Sequence, residues 1–365
     1  MRFPSLLATL VFSCCLSPSI AADRQTEKVI FVMTDGVRWE DLYRGADPKL
    51  LNKEAGVKDL EAIKQLFDQP TPEERRAALL PFVWSTIATQ GQLYGNIDKG
   101  SRVGVTNGKY FSYPGYNEAL TGFADPRIDS NKKTPNPNFT VFEWLHKKPR
   151  FDGKVAAFGA WDVFPSIFNV ERCGFLVNAG YDPLLELPDN PRIQVLNQMK
   201  QDLYRHWAGE PFDPITFHTA LEYLRVKKPS LMYLSLGETD EWCHAGRYDE
   251  YLRSAHRVDS YLRQIWETLQ ADSEYAGKTT MIVSTDHGRG GAPEGWKNHG
   301  ALIPGSENIW IMAIGPDIQP LGERANISEF GQNQIAATIA ALLGEDYHAS
   351  FPHVGTPINE ILRRE

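Results

Sequence analysis

The sequence predicts an α/β fold, a central and mostly parallel sheet with helices on both faces and a cap or insertion beside it. Three observations carry that expectation. Short apolar runs at 29–33, 231–236 and 279–284 are rich in β-branched and large apolar residues and show no polar alternation, as strands covered on both faces require. Each run leads within a few residues into Thr-Asp, at Thr34-Asp35, Thr239-Asp240 and Thr285-Asp286. Helical patterns alternate with these strands along the chain. Ligands bind outside the carboxyl ends of strands in open α/β sheets, so parallel neighbours would bring the three carboxylates to one edge.

The elements follow in order. Residues 1–22 read as a secretory signal: Arg2, an apolar run from Leu6 to Leu16, then Ser19-Ile20-Ala21, with cleavage after Ala21 or Ala22. The run is shorter than the roughly 20 apolar residues of a membrane-spanning helix. An exported protein, periplasmic or secreted, is expected, with one mature domain at 23–365. Cys14 weakly resembles a lipoprotein cleavage site, but bulky Phe12 fits that poorly. Removing the signal leaves Cys173 and Cys243, enough for one disulfide in an oxidising compartment. Asn138-Phe139-Thr140 and Asn326-Ile327-Ser328 match glycosylation acceptors, which matter only in a eukaryote.

A charged, aromatic turn at 37–47 follows the first strand. Thr71-Pro72-Glu73-Glu74 combines a cap, a first-turn proline and a Glu at the third position, so a helix begins there and runs to about Ala88. A strand at 92–97 and a glycine-rich loop at 100–108 come next. Ser112 then precedes Pro114-Gly115 and a short helix ending near Gly122; alone, it reads as a capping serine. Residues 125–138 form a polar loop, 139–148 a helix, and 154–159 an inner strand. Prolines punctuate 164–228, where helices at 194–207 and 215–226 suggest an insertion or cap beside the site. Tyr248, Tyr251, Leu252, Ala255, Val258, Leu262, Ile265, Trp266 and Leu269 lie at helical spacing and predict a long amphipathic helix. A strand at 309–314 and a helix at 332–343 close the chain.

With 365 residues the chain accommodates one large sheet plus insertions, and 42% apolar with 23% charged residues is ordinary for a folded protein. A net charge of -8 argues against a nucleic-acid-binding surface.

Two ligand sets stand out. Asp240 and His244, four residues apart, join His299; Asp35 joins Asp286 and His287. Mixed carboxylate and imidazole sets suit zinc, or manganese where the site is more open. A lone strand-end Asp is usually a cap and a lone His a satisfied polar group, and the joint spacing is what lifts these six above that reading. His146, His206, His218, His256, His348 and His353 keep the bland one.

On Asp35, the Asp240–His244 pair, Asp286-His287-Gly288 and Asn298-His299-Gly300, the chain resembles the alkaline phosphatase superfamily from residue 28 to about 316. The resemblance implies that fold and two divalent ions, zinc foremost, about 4 Å apart. It also implies a nucleophile between the first aspartate and the second ligand cluster. Phe111-Ser112-Tyr113-Pro114 with Leu120-Thr121-Gly122 looks like the Thr-x-Pro segment of the nucleotide pyrophosphatase and phosphodiesterase branch, with Ser112 in place of Thr. An Asn downstream helps hold a phosphoryl oxygen in that branch; Asn131 is nearest, and Asn136 or Asn138 could serve instead. Lys109, Arg289 and Lys297 lie near the motifs as candidate substrate contacts. Tyr110, Tyr113, Tyr116 and Trp161 suit an aromatic wall or ordinary core equally well.

The implied activity is hydrolysis of a small-molecule phosphoric ester, diester, nucleotide or monoester, through a phosphoserine. One ion, on Asp35, Asp286 and His287, would activate Ser112; the other, on Asp240, His244 and His299, would stabilise the leaving oxygen and later activate water. The helix N-terminus after Ser112 would help hold the transferring group. Alternatives are a sulfatase or phosphonate monoester hydrolase of the same superfamily, a phosphotransferase of the mutase type, or a metal-binding protein without catalysis. Tyr116 stands where the sulfatase pattern has Arg, and 36–111 is too short for the mutase insertion.

Overall fold

A computed structural model describes residues 24–362, so the expected signal at 1–22 lies outside the described residues. The strands are β1 (Lys28–Thr34), β2 (Gln92–Tyr94), β3 (Val103–Gly104), β4 (Val155–Gly159), β5 (Leu176–Ala179), β6 (Leu231–Leu236), β7 (Thr279–Thr285), β8 (Asn308–Ile309), β9 (Ile311–Ile314), β10 (Gly322–Glu323) and β11 (Phe330–Gly331). The main sheet has the order β10-β2-β9-β7-β1-β6-β4-β5, and a small one the order β11-β3-β8. In the main sheet β9 alone runs against its neighbours.

The apolar runs without alternation become β1, β6 and β7, and each is covered on both faces. Ile30 and Val32 of β1 face one core, shared with Tyr251, Leu252, Val258 and Leu262 of helix Tyr248–Ala271. Phe31 and Met33 face the other, with Leu120 of helix Ser112–Thr121, Leu145 of helix Val141–His146 and Ile339 of helix Ile335–Leu342. Burying each such side chain fully stabilises by about 2 kcal/mol.

Register sets the site. Thr34 lies opposite both Leu236 and Thr285, so Asp35, Gly237 and Asp286 leave the sheet in one row.

Several expected elements change length. Thr71 and Glu74 form the expected capping box, but helix Pro72–Leu79 stops ahead of Pro81, whose ring and missing N–H break the ladder. The chain resumes as a π-helix at Val83–Ile87 and a short helix at Ala88–Gln90. Within 164–228, β5 pairs in parallel with β4 as the sheet's edge, while helices Pro191–Asp202 and Asp213–Lys227 cover that end. Cys173 and Cys243 are buried free thiols and do not pair. No helix among the described residues is long and apolar enough to cross a membrane.

Candidate active site

The strand-end row assembles the first ligand set. His287 Nε2 lies 3.2 Å from Asp35 Oδ1 and 3.4 Å from Asp286 Oδ2. All three atoms are buried and have no hydrogen-bond partner. Their neighbours are all committed to the protein. Asp286 Oδ1 accepts from the Gly36 and His287 N–H groups at 3.0 and 2.9 Å. Asp35 Oδ2 accepts from the Tyr116 hydroxyl at 2.9 Å, which in turn accepts from Ser235 Oγ at 3.1 Å. His287 Nδ1 lies 2.9 Å from the Gly288 carbonyl, a pure acceptor, so Nδ1 carries the proton and Nε2 presents a lone pair. Two carboxylate oxygens and an imidazole lone pair converging without partners is an expensive arrangement unless a cation sits among them.

The second set starts from helix Glu238–His244, whose i, i+4 spacing puts Asp240 and His244 on one face. His244 Nε2 is 3.2 Å from Asp240 Oδ2 and 3.0 Å from His299 Nε2, and His299 Nε2 is 3.6 Å from Asp240 Oδ1. His287 sits between the sets: Asp240, His287 and His299 also offer donor atoms within 4.8 Å of one another, as do Asp35, Asp286 and His287. The His287 and His299 rings stack at 3.8 Å.

Electrostatics match the geometry. Burial pushes His287 down to about 4. Burial and the neighbouring His287 push His299 down to about 3. Both rings are therefore neutral at physiological pH, the form that binds metal. Burial, then the charge of Asp240, raises Asp35 to about 7. Burial and Asp35 hold Asp286 well above the carboxylate range. Burial opposes the charge on Asp240 too, but Arg289 and His244 outweigh it and hold Asp240 well below that range.

Arg289 is the unexpected neighbour. Its guanidinium is buried, donates to Asp240 Oδ1, and reaches the Trp296 and Lys297 carbonyls, each at 2.9 Å. It is a counter-charge inside the cluster, not a free arm toward substrate.

Ser112 opens helix Ser112–Thr121, and Pro114 and Gly115 fall in its first turn, where a proline is tolerated. Ser112 does not cap this helix. Asn131 Oδ1 does so from the next loop, accepting the Tyr113 N–H at 3.0 Å. With Pro114 lacking an N–H and the Gly115 N–H on the Phe111 carbonyl, the terminus offers an anion little beyond the Ser112 N–H. Ser112, Gly115 and Tyr116 share a face by helical spacing. A Cβ on Gly115 would lie 2.3 Å from the Asp286 carbonyl oxygen, and Tyr116 reaches Asp35, so this face abuts the ligand row.

Asn136 is buried and donates to Asn117 Oδ1 and the Ile167 carbonyl, and Asn138 is bound to Asn117 and Asp125. Of the three candidate asparagines, Asn131 is the exposed one beside Ser112. Lys109 is half-buried, its N–H on Asn107 Oδ1. Tyr113 and Tyr116 are buried, as core side chains are. Sequence reasoning missed Tyr116 as a partner of Asp35 and Tyr110 as a partner of His299 Nδ1, which meets its carbonyl at 3.0 Å. Only the i+4 spacing of Tyr116 from Ser112 offered a hint.

The fold and the cluster define an α/β protein with a candidate two-cation centre beside a free serine hydroxyl. The family model for type I phosphodiesterase / nucleotide pyrophosphatase matches residues 83–302, which take in Ser112 and every ligand candidate except Asp35. The chain belongs to that family. Among solved structures, wild-type alkaline phosphatase PafA is similar at a TM-score of 0.58 and 12% identity, over 93% of this chain and 99% of that one. An inactive form of murine ectonucleotide pyrophosphatase/phosphodiesterase 5 in complex with AMP gives 0.54 and 13%, over 92% and 100%. The phosphonate monoester hydrolase of Agrobacterium radiobacter gives 0.52 and 13%, over 92% and 77%. At these identities the likeness is one of fold, that of the alkaline phosphatase superfamily. No curated protein matches the sequence.

Proposed function

We propose that this chain is an exported, divalent-metal-dependent hydrolase of small phosphoric esters that works through a phosphoserine at Ser112. The observation that carries the reading is the convergence of Asp35 Oδ1, Asp286 Oδ2 and His287 Nε2, buried and unpartnered, beside the helix face of Ser112. Asp35, Asp286 and His287 would hold one ion and Asp240, His244 and His299 another. Zinc suits the nitrogen and oxygen donors, and manganese a more open site. Bound there, such ions supply Lewis-acid polarisation and a lowered hydroxyl pKa.

The chain's own groups do the rest. Ser112 Oγ attacks phosphorus as the bond to the leaving ester oxygen breaks; water then attacks the phosphoserine and returns the hydroxyl. Asn131, with Oδ1 fixed on the Tyr113 N–H, keeps its Nδ2 for a phosphoryl oxygen. Tyr116 orients Asp35. Because Arg289 is committed to Asp240, no arginine clamp from that position meets the extra charge of a monoester, which favours diesters.

The test compares nitrophenyl phosphate with bis-nitrophenyl phosphate, with zinc, with chelator, and as Ser112→Ala. Zinc-dependent turnover, faster on the diester and lost in the variant, is expected. Full activity in Ser112→Ala would remove the nucleophile. No turnover of either ester with metal bound would favour sulfate esters or group transfer as the reaction.

A further inference from the structure

We infer that Asn107 is a positioning residue for the second half of the ligand cluster, acting through the backbone of Tyr110. The inference rests on the two-ion reading above. Asn107 Oδ1 accepts the N–H groups of Lys109 and Tyr110 at 2.8 and 3.0 Å. Between them these bonds hold Tyr110 at φ 56°, in the left-handed region. A residue with a Cβ enters that region at a cost of roughly 1–2 kcal/mol, so something must hold it there.

In that conformation the Tyr110 carbonyl meets His299 Nδ1 at 3.0 Å. A carbonyl only accepts, so Nδ1 carries the proton. Nε2 is left as a bare lone pair facing His244 and Asp240. Asn107 thus fixes both the tautomer and the ring orientation of His299 without touching it.

The loop is anchored in turn. The Asn107 N–H donates to Glu118 Oε2 at 3.0 Å, while Glu118 Oε1 accepts from the Thr106 N–H, the Thr106 hydroxyl and the Asn333 N–H at 2.9, 2.8 and 3.2 Å. Glu118 is fully buried on the helix that begins at Ser112. One carboxylate therefore ties the helix of the expected nucleophile to the loop that fixes His299. The relay Glu118, Asn107, Tyr110, His299 keeps the serine and the second ligand set in register.

Outer partners of metal-bound histidines typically change affinity or activity by about 10–100-fold. The measurement is zinc stoichiometry and affinity by competition with a chromophoric chelator, with urea unfolding as the control for stability. Wild type is expected to bind two ions. Asn107→Ala should keep the first ion at wild-type affinity and weaken the second by about 10-fold or more, with turnover recovering in excess zinc. Adding Tyr110→Gly to that variant should restore much of the second affinity, since glycine adopts positive φ freely.

Asn107→Ser retains a weaker acceptor and should show a smaller shift in the same site; it carries the test if alanine prevents folding. Wild-type affinity for the second ion in Asn107→Ala, or in Asn107→Ser where alanine does not fold, would overturn the inference. So would equal weakening of both ions. A wild-type protein that binds no divalent ion fails differently, since that outcome removes the two-ion reading itself.

Discussion

The Tyr116 hydroxyl is a single group, yet it fixes which oxygen of Asp35 faces the cluster. Tyr116→Phe conserves the buried ring and removes that bond together with the one from Ser235 Oγ. Activity should fall about 10-fold or more, while stability changes by about 1 kcal/mol; steady-state kinetics beside urea unfolding separates the two, and unchanged kcat/KM would show that Asp35 needs no such guide. Gly36 is the steric counterpart. Its φ is 60°, and an added Cβ would lie 2.7 Å from Arg289 Nη1, 3.0 Å from Asp240 Oδ1 and 3.1 Å from His287 Cε1. Gly36→Ala should therefore cost zinc binding first and also about 1–2 kcal/mol of backbone strain; a variant that binds zinc normally would refute that crowding. At this scale the convergence of Asp35, Asp286 and His287 was legible, because chemistry and strand-end position coincide in them, while Asp240 and His244 share a helix and His299 a loop that only their spacing marked. Tyr116 and Asn107 were not, because their partners lie 81 and 189 positions away, counting the second through Tyr110 to His299, and only folding reveals such pairs.

Helices were legible where pattern and burial agree. The spacing that predicts helix Tyr248–Ala271 is the stripe it buries, and the Thr71 box starts a helix where expected. Helix Pro191–Asp202 inverts the rule: it buries Ile193 and Lys200 and leaves Val195, Met199 and the flanking Leu203 at 60, 37 and 44% exposure. No reading by hydrophobic face recovers that orientation. The reason is polar: Lys200 Nζ donates to Asn178 Oδ1 at 3.0 Å and to the Asp182 carbonyl at 2.7 Å, tying the helix to β5. Burial lowers the Lys200 ammonium to about 8, against 10.5 for the free side chain. Between those values the unfolded chain binds more protons than the folded one, so this group adds stability as pH rises through the window and nothing below it. Wild type should accordingly gain on Lys200→Met between pH 7.5 and about 10 in urea unfolding; a difference independent of pH would show that the lysine titrates normally.

At the scale of the molecule, the order β7-β1-β6 joins segments some 200 residues apart, and it is what brings Asp35, Asp240 and Asp286 together. The shared Thr-Asp endings made that adjacency legible; the short antiparallel β9 and the edge strand β5 carried no comparable mark. Three carboxylates in one buried region repel each other, so the metal-free molecule carries a penalty that bound cations would relieve. Asp286→Asn separates the two effects. Its Oδ1 can still accept from the Gly36 and His287 N–H groups, and its new amide faces the His287 Nε2 lone pair across the present 3.4 Å. In chelator the variant should therefore be as stable as wild type or more so. In zinc the order should reverse: an ion that binds only the folded state adds about 2.7 kcal/mol at a hundred times its Kd, and a variant lacking that carboxylate forfeits most of it. Urea unfolding of both proteins, with zinc and with chelator, gives the four numbers. Equal stabilisation of both by zinc would mean that the ion binds elsewhere, and a variant much weaker than wild type in chelator would mean that the carboxylate is structural.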